Sequence, residues 1–188
     1  CTYPVKHISA YALTVEEGAA IASGGLIFPE EGLLVEMWDV TASLLRQRGL
    51  LRYEVSNYAA PGFACRHNNA VWHGDTYLGC GPSAVSFDGR TRRKNGSDVA
   101  AWMRGDLREE DILAPPERAA EILAFGLRTA AGWRRDAFQN VTGKDMLELR
   151  GDALQDLCKE GLLYWENSRL APTRRGLLFA DTVAGKLI

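Results

Sequence analysis

The segment from Tyr53 to Phe87 constrains the fold most, because its backbone must turn repeatedly. Glycine and proline recur in it at short intervals, at Pro61-Gly62, Gly74, Gly79 and Gly81-Pro82. These residues interrupt helices and central strands. Between the turns lie histidine, cysteine, tryptophan and asparagine side chains, which are typical of loops that bind ligands. The segment is therefore predicted to be a turn-rich functional site and not part of the core.

The composition of the 188-residue chain, 46% hydrophobic and 24% charged, is ordinary for a soluble globular protein. A net charge of −2 gives no general attraction to nucleic acid or anionic membranes. No apolar run approaches the roughly 20 residues that span a bilayer. The four cysteines form no CxxC pair, so we expect reduced thiols and a cytoplasmic location. Because the chain begins at Cys1 without methionine, we expect it to be a piece of a longer protein.

Before the turn-rich segment, the pattern predicts a strand at His7–Leu13, a helix at Gly32–Gly49 and a second strand at Leu50–Ser56. Strand, helix, strand is the order of a βαβ unit in a parallel sheet. Ligands in such sheets gather at the carboxyl ends of the strands. The turn-rich segment would begin at that edge.

After this segment, the sequence predicts a turn at Asp88-Gly89 and a short helix capped at Ser97-Asp98. The charged run Arg108–Asp111, followed by Pro115-Pro116, is interpreted as a linker. We therefore expect one domain over residues 1–112 and a second over residues 113–188.

The second domain is predicted to be helical and to end in a β-hairpin. The helices are expected at Pro116–Gly132, Arg135–Val141 and Asp145–Glu160, followed by a hairpin turn at Asn167-Ser168 and a last helix capped by Thr173. This order is typical of a winged-helix-like module. Its Arg169, Arg174 and Arg175 are candidates for nucleic-acid contacts, but neighbouring acids and the low net charge make nucleic acid an unlikely partner.

His67, Asn68 and Trp72 form the sharpest group of candidate site residues. An imidazole in a turn-rich segment suits haem iron, and an indole suits the porphyrin face, but spacing alone favours a hydrogen-bonded structural histidine at position 67. The quartet Cys65, His67, His73 and Cys80 offers zinc ligands, but C-x-H-x5-H-x6-C matches no common zinc pattern. The basic run Arg90–Lys94 suits either propionates and phosphates or a salt-bridged, solvated edge.

Several motifs occur in a characteristic order along the chain, namely His7–Tyr11, Tyr53–Ala59 with Pro61-Gly62, Cys65–Asn68, Tyr77–Ala84, Arg93–Asn95, Glu121, Gly126–Arg128, Gly132, Gly161-Leu162, Leu170, Thr173, Gly176 and Asp181. In these motifs the chain resembles the oxygen-independent coproporphyrinogen III oxidase-like radical SAM proteins, and within them the haem chaperone branch. The resemblance implies an α/β fold: the C-terminal part of an incomplete (β/α) barrel, followed by a HemN-type, winged-helix-like domain.

The resemblance also implies cofactors. Members hold a [4Fe-4S] cluster on a CxxxCxxC motif and bind S-adenosylmethionine on it, but that motif is absent here, so this chain alone is expected to be inactive. The backbone of Val85 corresponds to a position near the adenosine of S-adenosylmethionine. The haem chaperones carry an HNxxYW motif, which here reads His67-Asn68-Asn69-Ala70-Val71-Trp72, with valine in place of tyrosine.

The resemblance therefore implies that His67 is the ligand of haem iron and that Asn68 and Trp72 belong to the same site. Haem and haem-accepting apoproteins are the expected partners. The alternative is part of an oxygen-independent coproporphyrinogen III oxidase, or of a related oxidoreductase of porphyrin biosynthesis.

Overall fold

The computed structural model describes residues 3–15, 19–23, 25, 27–105 and 108–188. It is a mixed α/β structure that divides into two compact units, Cys1–Cys65 and Arg66–Ile188. The predicted boundary between residues 112 and 113 falls within the second unit and stays a prediction. Cys1 lies outside the described residues. In the described part of the chain, no helix is long and apolar enough to cross a membrane.

The first unit contains β1 (His7–Ser9), a 3-10 turn (Ala20–Ser23), α1 (Glu31–Gln47), β2 (Leu51–Arg52) and β3 (Asn57–Ala59). The helix predicted between the two strands is confirmed as α1. The single strand predicted at Leu50–Ser56 is wrong, because the chain turns after Arg52 and returns as β3. The sheet order is β1-β3-β2, and both pairings are antiparallel.

Buried polar side chains hold the turn between β2 and β3. The Glu54 carboxylate accepts a hydrogen bond from Ser56 N at 3.0 Å and another from the Asn57 amide, and both Glu54 and Asn57 are buried. Ser9 Oγ of β1 donates to Oδ1 of the Asn57 side chain. These bonds help to hold β3 between β1 and β2. The two predicted strands run in the same direction, but the predicted parallel sheet is wrong, because β3 lies between them and pairs antiparallel with both.

The second unit begins with α2 (Arg66–Trp72), β4 (Val85–Phe87), β5 (Thr91–Asn95), α3 (Val99–Arg104) and β6 (Arg108–Ile112). Strands β4, β5 and β6 form an antiparallel sheet in that order. The linker predicted at Arg108–Asp111 is wrong, because these residues form most of β6.

The basic residues of β5 lie opposite the acidic residues of β6. Arg93 pairs with Glu110 in register, and its Nε is 2.9 Å from the Glu110 carboxylate. Arg92 lies opposite Asp111, with 3.2 Å between guanidinium and carboxylate. Opposite charges across an antiparallel pair stabilise the ladder. The salt bridges predicted for Arg90–Lys94 are therefore confirmed for Arg92, Arg93 and Lys94, but the predicted edge is wrong, because β5 is the central strand of this sheet.

Two predicted local features of this region are also confirmed. The Asp88 carboxylate accepts bonds from Arg90 N and Thr91 N at 2.9 and 2.8 Å, which closes the predicted turn. The Thr91 bond, followed by the Arg93 guanidinium, lowers the pKa of Asp88 well below its usual range. Asp98 caps α3, since its side chain accepts from Ala101 N at 2.6 Å.

The remainder of the second unit comprises α4 (Pro115–Gly126), β7 (Trp133–Arg134), α5 (Arg135–Thr142), α6 (Met146–Lys159), β8 (Leu163–Glu166), β9 (Arg169–Pro172), α7 (Arg174–Leu178) and α8 (Ala180–Leu187). The sheet order is β7-β9-β8, all antiparallel. The predicted hairpin is confirmed: Asn167 and Ser168 both have positive φ, 47° and 63°, as a tight two-residue turn requires. The core contains Leu123, Phe138, Leu154, Leu157 and Leu170, each fully buried.

Helix α4 ends at Gly126, six residues before the predicted stop at Gly132. Thr129 Oγ1 donates to the Gly126 carbonyl at 2.7 Å and so takes the acceptor that a continuing helix would use. The Trp133 indole packs directly against Gly126, and its Nε1 donates to the Ile122 carbonyl at 3.2 Å. The returning strand β7 therefore packs its tryptophan against the last turn of α4.

Candidate functional site

An open groove runs along α2, the short helix that contains most of the predicted site residues. Its volume is about 790 Å³, which lies within the range of small-molecule sites. The groove is lined by Arg66, His67, Asn69, Ala70, His73 and Asp75. It brings together two imidazoles, one guanidinium and one carboxylate beside a small apolar residue. The sequence predicted only His67 of this set as a haem-site residue.

Trp72 does not line this groove. Its ring packs edge-to-face against Phe125 of α4, with 6.2 Å between centroids and 74° between planes. The Arg128 guanidinium lies 5.3 Å from the same ring. Residues five apart on a helix point about 140° away from each other, so His67 and Trp72 lie on different faces of α2. The structure therefore separates the imidazole and the indole that the sequence placed in one site.

Val71, at the position where the motif usually has tyrosine, also points away from the groove. It lines a small cavity of about 20 Å³ with Tyr77, Phe87, Ile122 and others. Position 71 therefore contributes no group to the groove in this chain. Asn68 is half-buried and is likewise not among the groove-lining residues.

Val85 lies on β4, beside a separate cleft of about 360 Å³ whose lining residues include Tyr77 and Trp102. Its backbone carbonyl approaches Gly79 so closely that a Cβ at residue 79 would overlap it. The close approach explains why residue 79 is a glycine. Gly79 N donates to Ser86 Oγ at 3.0 Å and fixes this approach. The cleft shares no lining residue with the α2 groove, so the structure does not bring Val85 and His67 into one pocket.

The structure gives the other candidate ligands no common site. Among the described residues, no group of three or more histidine, cysteine, aspartate or glutamate side chains could hold a metal ion. The zinc quartet of Cys65, His67, His73 and Cys80 therefore has no support. In the predicted nucleic-acid patch, Arg169 and Arg175 each donate to a backbone carbonyl, Ala131 O at 2.9 Å and Glu160 O at 2.8 Å. These two guanidiniums thus have structural partners within the fold.

Comparison with known proteins identifies relatives over nearly the whole chain. The HemN C-terminal domain family matches residues 113–179. The haem chaperone HemW of Mycobacterium tuberculosis is 32% identical over 98% of this chain and 48% of its own length. HemW of Bacillus subtilis is 28% identical over 97% of this chain and 51% of its own length. The chain is thus homologous to HemW proteins over nearly its whole length, and to the HemN C-terminal domain family over residues 113–179.

Relatives also occur outside bacteria. The mitochondrial radical S-adenosyl methionine domain-containing protein 1 of Bos taurus is 30% identical over 97% of this chain and 46% of its own length. Among solved structures, coproporphyrinogen III oxidase (HemN) from Escherichia coli, a radical SAM enzyme, matches with a TM-score of 0.65 at 15% identity. That match covers 85% of this chain and 42% of HemN, and it shows similarity of fold.

The chain thus spans about half the length of the curated relatives it matches. The family predicted from its motifs is confirmed. Sequence reasoning missed Arg66, Asn69, Ala70 and Asp75 as groove residues, and it considered His73 only as a zinc ligand. The available signal was helical spacing, because residues 66, 69, 70 and 73 recur at intervals of three or four and so share one side of α2.

Proposed function

We propose that this chain is part of a HemW-like haem chaperone, which binds haem in the α2 groove and delivers it to haem-accepting apoproteins. The observation that supports the proposal is the pair of imidazoles, His67 and His73, in one groove of a chain homologous to proteins named haem chaperones. In this proposal His67 is a ligand of the haem iron. The proposed location is the cytoplasm.

The chemical groups that line the groove are of types that bind haem. Imidazole nitrogen is a common axial ligand of haem iron, and a guanidinium such as that of Arg66 pairs well with a propionate carboxylate. Bound haem would supply the iron centre that the imidazole coordinates. Trp72 packs against Phe125, so it would hold α2 against α4 and fix the position of His67. Asn68 would belong to the same site as the neighbour of His67 on α2.

The [4Fe-4S] cluster and S-adenosylmethionine belong, in this proposal, to the longer protein. The three described cysteines, Cys65, Cys80 and Cys158, lack CxxxCxxC spacing and therefore do not fit the cluster. The backbone of Val85, beside the cleft on β4, is proposed to lie near the adenosine when S-adenosylmethionine is bound.

We propose the domain organisation on the same basis. Residues 1–112 would belong to the incomplete (β/α) barrel and residues 113–188 to a winged-helix-like domain. In support, the HemN C-terminal domain match begins at residue 113. The order of elements from α4 to β9, one helix, one strand, two helices and a hairpin, is also that expected of a winged helix.

Titration of the purified protein with ferric haem tests the function. We expect a shifted and intensified Soret band that saturates, and a weaker response for His67→Ala. The matched control is His7→Ala, which changes the one histidine outside the groove; its Nε2 lies 2.9 Å from the Tyr53 hydroxyl. A Soret band unaltered by the protein would reject haem binding, and an unchanged response in His67→Ala would remove His67 as a ligand.

The similarity of fold to HemN supports a second candidate, part of an oxygen-independent coproporphyrinogen III oxidase or a related oxidoreductase. The longer protein would then convert coproporphyrinogen III when supplied with S-adenosylmethionine and a reductant. Absence of a CxxxCxxC motif from the gene sequence upstream of Cys1 would reject this candidate.

A further inference from the structure

His73 follows directly after α2 and lines the α2 groove together with His67. Its ring Nδ1 lies 2.7 Å from the backbone carbonyl oxygen of Asn69. Because a carbonyl oxygen only accepts hydrogen bonds, Nδ1 must carry the hydrogen in this contact. In the neutral ring the lone pair is therefore on Nε2, the nitrogen that is left to bind a metal.

A second contact, with Trp133, also fixes the orientation of the His73 ring. The ring packs edge-to-face against Trp133, with 4.8 Å between centroids and 72° between planes. Trp133 is only 3% exposed and is anchored by its bond to the Ile122 carbonyl. The backbone N of His73 also donates to Asn69 O, at 3.1 Å. The core of the second unit thus holds this imidazole in one position.

This arrangement is typical of histidines that bind metals. A metal-ligating imidazole generally donates its other N–H to a carbonyl or carboxylate, which fixes the tautomer and raises the basicity of the ligating nitrogen. The Asn69 carbonyl supplies that partner here, and the Trp133 contact lowers the entropic cost of holding the ring still. His67, by comparison, is exposed on the first turn of α2.

Resting on the proposed haem-binding function, we propose that His73 is an axial ligand of the haem iron in the α2 groove, through Nε2. Iron coordination then does not depend on His67 alone. It also does not depend on a phenol at position 71, because Val71 lies outside the groove.

Absorption spectra of the ferric haem complex test this inference. His73→Ala removes the nitrogen, and His73→Phe also removes it but keeps an aromatic ring against Trp133, so a folding defect is separated from loss of a ligand. We expect both variants to show a shifted Soret band and an affinity for haem at least about tenfold weaker. Substitution of a residue that only hydrogen-bonds to a metal ligand already lowers metal affinity by about this factor. Free imidazole should return the His73→Ala spectrum toward that of the unaltered protein. His7→Ala is the control and should leave the spectrum as it is.

The outcomes separate this inference from the proposed function. If the unaltered protein binds haem and both His73 variants keep its spectrum and affinity, the ligand role of His73 is rejected while haem binding stands. If the unaltered protein leaves the Soret band unchanged, the proposed function fails and this inference fails with it. Altered spectra in both His73→Ala and His67→Ala would support ligation by both histidines.

Discussion

The carboxylate of Asp145 carries out two structural roles at the start of α6. One oxygen caps the helix by accepting from Leu147 N at 2.8 Å and Glu148 N at 3.4 Å. The other accepts from Arg135 Nε of α5 at 2.6 Å. Asp145→Ala removes both, so the free energy of unfolding should fall by about 1–2 kcal/mol, as is usual for lost N-caps. Asp145→Asn keeps a capping oxygen and should lose less. Urea unfolding of the three proteins checks this order.

The same carboxylate predicts a pH dependence. The bond from Arg135, assisted by the two backbone N–H groups, lowers the pKa of Asp145 below its usual range. A depressed pKa in the folded state contributes stability above the unfolded pKa, and this contribution is lost as the pH falls through the folded pKa. The stability difference between the protein and Asp145→Asn should therefore be constant near neutrality and shrink below about pH 4. A difference that stays constant down to about pH 2 would contradict the assignment.

At the scale of elements, Glu121 joins helix α4 to strand β5. Its two carboxylate oxygens accept from the Arg92 guanidinium at 2.7 and 2.8 Å, and Arg118 of α4 also donates to it. The Glu121 and Arg118 side chains are only 10% and 8% exposed. Glu121→Gln should leave buried guanidinium charge uncompensated and lower the free energy of unfolding by about 3 kcal/mol.

A matched control for this change lies on the neighbouring strand. Glu109 faces Lys94 at 3.9 Å and is 84% exposed, so Glu109→Gln should change stability by less than about 0.5 kcal/mol. Each of the two substitutions removes one negative charge, Glu109→Gln from β6 and Glu121→Gln from α4. Thermal and urea unfolding should show a large difference between them, and equal losses would show that burial of Glu121 adds nothing.

The contact between α4 and β7 predicts opposite results at two helical glycines. A Cβ at Gly126 would overlap the indole of Trp133, whereas a Cβ at Gly151 of α6 would meet open space. Gly126→Ala should lower the free energy of unfolding by about 1–3 kcal/mol, the usual cost of overpacking. Gly151→Ala should not destabilise, since alanine is favoured over glycine within a helix. Denaturant unfolding measures the stability of both variants. A Gly126→Ala variant with an unchanged free energy of unfolding would contradict this close packing.

At the scale of the whole molecule, the two units differ in how much apolar surface they bury. In the described part of the first unit, the buried hydrophobic residues are Leu50, Tyr58 and Ala59, and no residue of α1 is buried. The continuous core cluster lies entirely within the second unit. Local opening is easier where few apolar contacts must be broken. Amide hydrogen exchange on this chain should be slowest in α4 and α6 and faster throughout β1–β3. Equal protection in both units would contradict this ranking.

The sequence alone determined the features that depend on neighbours along the chain. Helical periodicity located α1, and cap chemistry identified Asp98 and Thr173. The Asn167-Ser168 turn identified the last hairpin. The order of motifs gave the family, and the relatives confirmed it. Periodicity, capping and tight turns act over a few residues, so each can be recognised from a short window of sequence.

Only the tertiary structure decided which segments meet. Insertion of β3 between β1 and β2 depends on its ladder with β1 and on the bond from Ser9 Oγ to Asn57 Oδ1, which join segments far apart in the chain. The charged run of β6 became a strand because β5 supplies opposite charges across the ladder. The groove pairs His67 with His73 while Trp72 faces α4, because packing against α4 and Trp133 fixes the rotation of α2. These outcomes depend on burial and hydrogen bonds between residues distant in sequence, which no local pattern contains.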